Sequence, residues 1–173
     1  MNMPPLQDLQ KFANEEFDRH WPDSPKDQHC LVWAAAGLLA WEKHFASEFG
    51  RLVIQAGSAS WRFRDDDTNK DMMFGYDTEN LVQNVATGRP LEWHVWLGHP
   101  EEQVVIDLSS RYQVDQLERI LGVEWQDEYR LPEPLMATVE DCMVRDWRYH
   151  AEPFATSVAF AGLTDVMKSS HAS

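Results

Sequence analysis

Apolar residues recur at near-helical spacing at Leu6, Leu9, Phe12, Phe17 and Trp21, which predicts a helix over 5–21. Trp21-Pro22-Asp23-Ser24-Pro25 breaks that pattern. Ser24, Pro25 and Asp27 then match an N-cap, a first-turn proline and a capping-box acid, although Asp27 also suits the cap itself. From Cys30 to Phe45 the chain is apolar on nearly every side, as a central buried helix requires, and Phe49-Gly50 closes it. Leu52 to Ala56 reads as a strand. It continues through Ala56-Gly57-Ser58-Ala59-Ser60, small residues that let another backbone approach closely, to Trp61-Arg62-Phe63.

Asp65 to Asn69 is a turn and Met72 to Tyr76 a strand, while Leu81 to Pro90 fits neither period clearly. Leu91 to Leu97 and Gln103 to Leu108 are two strands around Gly98 to Glu102, and Val114 to Leu121 is a short helix ending at Gly122. Prolines at 132, 134 and 153 make 123–173 read as loop-rich, with a fraying end. Helices followed by a meander of strands argue for an α+β fold with an antiparallel sheet, as one domain over 1–173 with its core in 24–122.

Charge narrows the partners. The 173 residues carry 29 acidic against 15 basic side chains, a net charge of −14, which disfavours nucleic acid and anionic membrane surfaces. The surplus keeps a protein in solution and gives a mild preference for neutral or cationic substrates. Two cysteines are too few for a disulfide framework, and no signal-peptide pattern or membrane span is visible, so a reduced, cytoplasmic chain is expected.

Three local contexts suggest chemistry. Cys30 opens the buried helix; if Asp27 is the cap, it is the third helical residue, where free N–H groups and the dipole favour a thiolate. In Trp93-His94-Val95-Trp96-Leu97, alternation places His94 and Trp96 on one face. Asp107 lies inside Val104-Val105-Ile106-Asp107-Leu108, where a lone acid needs a partner. A four-residue loop His99-Pro100-Glu101-Glu102 pairs Gly98 with Gln103 and sets His94 directly opposite Asp107. Opposed residues have β-carbons roughly 4.5–5.5 Å apart. An imidazole oriented by a carboxylate is the base half of a nucleophilic triad, or a structural pair within a hairpin.

His29-Cys30-Leu31-Val32-Trp33-Ala34-Ala35-Ala36-Gly37-Leu38-Leu39 followed by Gly50 to Gly57 resembles the nucleophile helix and next strand of transglutaminase-like cysteine proteins. His94-Val95-Trp96-Leu97 and Val105-Ile106-Asp107-Leu108-Ser109 resemble that superfamily's later blocks, in the same Cys, His, Asp order, so the likeness covers roughly 24–110. It implies a papain/transglutaminase-like core, with the nucleophile helix packed on an antiparallel sheet. It also implies Cys30 as nucleophile, His94 as general base and acid, and Asp107 as orienter. The Cys30 N–H is the expected oxyanion donor, with Gln28 or Gln55 as candidate second donors and Trp96 as a cleft wall. Leu97-Gly98 departs from the acid the family often carries after His-Val-Trp.

The expected activity is hydrolysis of an amide or acyl bond in a peptide or small amide, through an acyl-enzyme and without a cofactor. The alternatives are acyl or amide transfer, and a non-catalytic binding or accessory protein that keeps the fold. Zinc is the rival chemistry, since Cys30, His29, His94 and Asp107 are competent ligands, but His29 and Cys30 point apart on a helix and no close ligand pair exists. Cys142, between acidic neighbours, reads as structural.

Overall fold

The computed structural model describes residues 3–26, 30–64, 71–76, 78–89, 93–110 and 134–169. Helix α1 (Leu6–His20) buries Leu9, Ala13 and Phe17 against α2 (Cys30–His44). Glu16, on the same face, bonds Arg19 and Lys43 and so ties α1 to α2. The helix expected to run to Phe45 breaks there, and a single turn α3 (Ala46–Phe49) follows, closed by Gly50 at φ 83°.

The sheet is antiparallel throughout. Its pairing path runs β2 (Asp71–Tyr76), β1 (Val53–Arg64), β3 (His94–His99), β4 (Val104–Asp107) and β5 (Leu135–Thr138), with β6 (Arg148–Ala151) also joined to β1. A short helix α4 (Leu81–Thr87) occupies the stretch whose period was unclear; Gly88 ends it in the left-handed conformation. Gly57 pairs with both His94 and Ala151, so β6 lines the edge of β1 opposite β3. The close approach expected at the small residues is made by β6: a β-carbon on Gly57 would stand 2.1 Å from the His150 carbonyl oxygen.

Alternation along β3 sorts two cores. Val95 and Leu97 face α2 with Ile54, Ala56 and Ile106; Trp96 packs on the other side with Val105, Leu135, Ala137 and Cys142. Helix α2 is buried on nearly all sides, as its composition requires, between α1, the sheet and the C-terminal helix α6 (Pro153–Ser169). Gly37 lets it approach closely, because a β-carbon there would meet Leu108 at 2.7 Å and Leu97 at 2.9 Å.

The loop-rich expectation for 123–173 fails over 134–169. That stretch holds β5, the short helix α5 (Val139–Val144), β6 and the 17-residue α6. Pro153 starts α6 at the one helical position where a missing N–H costs nothing, and the Glu152 carbonyl accepts the Thr156 N–H. Ala155, Ala159 and Leu163, each four apart, bury one stripe of it. The proposed cap Asp27, the turn at 65–69 and the helix at 114–121 lie outside the described residues. Among those described, no helix is long and apolar enough to cross a membrane. The fold is a mixed α+β arrangement built on one antiparallel sheet.

Candidate active site

His94 opens β3 and Cys30 stands at the first described residue of α2, so the two meet at one end of the sheet. Both His94 and Asp107 are 0% exposed, whereas Cys30 is partly exposed. Cys30 is therefore the member of this trio that is open to solvent.

His94 Nε2 lies 2.7 Å from Asp107 Oδ2. A carboxylate can only accept, so Nε2 carries the proton. Cys30 stands close enough to the ring to raise its pKa, and with Nε2 on Asp107 the ring's other nitrogen is Nδ1. The three predicted residues are thus brought together around His94.

The register that joins them differs from the predicted one. His99 pairs with Val104, Gly98 with Val105 and Leu97 with Ile106, which places Asp107 level with Trp96 and diagonal to His94. The loop is Pro100 to Gln103. Its last residue takes φ 52°, and the Glu102 N–H bonds the His99 ring at Nδ1, which holds Gln103 out of the strand. The slip is two residues, an even number, so both side chains keep the same face.

Asp107 ends β4 opposite Leu135. Its Oδ1 accepts the Ser109 N–H and hydroxyl, each at 3.0 Å, and its Oδ2 accepts the Tyr149 hydroxyl at 2.9 Å beside the imidazole. Burial alone would raise this carboxyl's pKa; the adjacent imidazole and these donors outweigh it and hold the pKa below the usual carboxylate value. Burial likewise would lower the imidazole's pKa, but the Asp107 charge, the bond to Asp107 and the neighbouring Cys30 raise it to about 10. His94 is thus an imidazolium at neutral pH.

Three aromatic rings enclose that cation. Trp61 meets it edge-on at 5.0 Å, Trp96 stacks at 6.1 Å and Tyr149 tilts at 6.4 Å between centroids. Trp96 shares the face predicted for it, but it is only 2% exposed and backs the imidazole rather than lining an open cleft. Tyr149 also accepts the Trp61 indole N–H at 2.9 Å, and burial raises its phenol well above the ordinary value.

Gln55 is engaged across the strands with Trp96. Its Oε1 accepts the Trp96 indole N–H at 2.8 Å, and its amide lies against Gly98, toward the far end of β3 from His94. Gln28 lies outside the described residues. Cys142 is buried, which together with Asp141 pushes its thiol up to about 11 against the opposing pull of Arg145. Ser109, Trp61 and Tyr149 were not singled out by the sequence as site residues. Ser109 two positions beyond Asp107 was a readable signal, since a serine there can bond back to the acid. Among the described residues, no three His, Cys, Asp or Glu side chains are grouped to hold a metal ion. No protein-family model, curated protein or solved structure matches this chain.

Proposed function

We propose that the chain is a thiol hydrolase of the papain/transglutaminase type, cleaving an amide or acyl bond in a peptide or small amide. The observation that supports this best is a buried imidazolium bonded to a carboxylate, with the partly exposed Cys30 close enough to act on the ring. An imidazolium beside a thiol favours the thiolate, the form that attacks carbonyl carbon. A histidine paired only for structure has no need of the second contact, to sulfur.

Cys30 Sγ adds to the carbonyl carbon, and the oxygen that gains the charge accepts the Cys30 backbone N–H. The His94 imidazolium gives its Nδ1 proton to the departing nitrogen as the C–N bond breaks, leaving a thioester. Neutral His94 then takes a proton from water, whose hydroxyl adds to the thioester carbon; the C–S bond breaks, the acid leaves and the thiolate–imidazolium pair is restored. Asp107 stays ionised throughout and holds the ring. The surface charge of −14 favours neutral or cationic substrates.

The test is alkylation of the native protein by iodoacetamide, located by peptide mass spectrometry. Cys30 is expected to react at about pH 6 while Cys142 does not, and His94→Ala should abolish that reactivity. If Cys30 reacts like an ordinary thiol whether or not His94 is present, the hydrolase reading falls and a binding protein with this fold takes its place.

A further inference from the structure

We propose that Tyr149 is a positioning residue of the thiol site: its hydroxyl, aimed by the Trp61 indole, fixes the Asp107 oxygen that holds His94. This rests on reading Cys30, His94 and Asp107 as nucleophile, acid–base and orienter.

The argument starts from the two carboxylate oxygens. Ser109 holds Oδ1 through both its N–H and its hydroxyl. The oxygen that bonds the imidazole is Oδ2, and its other donor is Tyr149, at 2.9 Å. Two donors on each oxygen fill the roughly four acceptor positions of a carboxylate. With Tyr149 removed, the Ser109 bonds to the other oxygen and the imidazole itself are left to resist rotation of the whole carboxylate about its last side-chain bond. The 2.7 Å contact to Nε2 is the one that loosens.

A phenol hydroxyl has one proton and rotates, so something must aim it. Trp61 does so. An indole N–H can only donate, and it is directed at the Tyr149 oxygen from 2.9 Å. The phenol proton is then turned toward Asp107, and the three groups form a one-way series of bonds from Trp61 through Tyr149 to Asp107. The backbone delivers both rings to the same place: Tyr149 on β6 pairs with Ala59 on β1, and Trp61 follows two residues on, on the same face.

The charged and titratable groups around this point are His94 from β3, Asp107 from β4 and Cys142 from α5, with Cys30 beyond the imidazole. Burial and the Asp107 charge keep the phenol un-ionised, so Tyr149 remains a donor across the range in which the thiol site would work. Cys142 is held protonated by burial and adds no charge there.

Tyr149 also fills space, 5.2 Å from Trp96 and 6.0 Å from Trp61 between ring centroids. Tyr149→Phe keeps that packing and removes only the hydroxyl. The experiment is the rate of Cys30 alkylation by iodoacetamide as a function of pH, in the wild type, Tyr149→Phe, Trp61→Phe and His94→Ala, with thermal melting beside it. Tyr149→Phe should slow the reaction at about pH 6 by about ten-fold, the scale of one hydrogen bond to a charged group, and move the rising limb to higher pH. Trp61→Phe leaves the hydroxyl present but unaimed and should move the limb the same way by less. A purely space-filling role, which Tyr149→Phe preserves, would leave the limb in place. If the limb stays, or moves to lower pH, in Tyr149→Phe while His94→Ala still shifts it, the positioning role is overturned and the thiol site stands. If His94→Ala has no effect either, both fall. Should Tyr149→Phe not fold, Trp61→Phe decides by the same criterion.

Discussion

A methyl group added at Gly57 tests whether β6 lies where the site needs it. In Gly57→Ala the new β-carbon would sit 2.1 Å from the His150 carbonyl oxygen and 3.0 Å from the Glu152 nitrogen. Ordinary contact begins near 3.4 Å, so β6 must retreat by about 1.3 Å. Both neighbours are backbone, and no rotamer relieves the clash. Four register pairs, from Gly57–Ala151 to Ser60–Arg148, depend on that spacing. Overpacking costs about 1–3 kcal/mol and each weakened ladder bond about 1 kcal/mol, giving about 3–4 kcal/mol in total. At about 2–4 °C per kcal/mol for a chain of this size, Tm should fall by about 10 °C. The same retreat stretches the 2.9 Å Tyr149–Asp107 bond out of range, so Cys30 alkylation should take on the pH profile of Tyr149→Phe. Gly162→Ala is the control. There the β-carbon meets only the tip of Leu31, at 3.0 Å, and a helical alanine gains about 0.5–1 kcal/mol over glycine. Melting curves by circular dichroism read both variants. If Gly57→Ala melts within about 2 °C of the wild type, a size outside the expected loss, the reasoning about β6 is wrong.

Stability should have two pH limbs. The His94 imidazole, raised from 6.5 to about 10 in the fold, contributes fully below 6.5, and its contribution is lost as pH rises through about 10. The Asp107 carboxyl, lowered from 3.8, contributes above that value and is lost as pH falls through its folded value. Urea titrations across pH should show both limbs, and His94→Ala should lack the alkaline one. Glu16, 4% exposed, bonds Arg19 at 2.6 Å, Lys43 at 3.0 Å and His20 at 3.2 Å. Glu16→Ala should therefore cost about 2 kcal/mol and Lys43→Ala, whose side chain is half exposed, under about 1 kcal/mol; equal losses by urea melts would contradict this. Cys142→Ala should leave Cys30 alkylation unchanged and cost about 1 kcal/mol, because Cys142 is a buried thiol outside the reacting groups.

The trio Cys30, His94 and Asp107 was legible because each residue breaks a local pattern: a polar or reactive side chain in an apolar helix or strand. Facing was legible as well, since alternation along a strand survives any even slip. Register was not, because it depends on the His99 ring holding the Glu102 N–H and on Gln103 accepting a left-handed turn. The role of Gln55 was hidden by a cross-strand partner, the Trp96 indole, that no local pattern announces. Helix α6 escaped notice because its buried stripe is largely alanine while Phe154 and Phe160 face outward, which erases the amphipathic contrast. Tyr149 was lost with it. A four-residue strand is recognisable only through its partner, and that partner is distant in sequence.

On the thiol-hydrolase reading, that distance bears on when the site is assembled. Cys30, His94 and Asp107 are synthesised before Tyr149, whose pairing with Ala59 closes a loop of about 90 residues. Contacts of such long range form slowly and late. On that reading a nascent chain therefore carries Cys30, His94 and Asp107 before the Tyr149 contact exists. On the same reading, withdrawal of β6 alone would take the Tyr149 hydroxyl from Asp107 and so loosen the alignment of the thiol site.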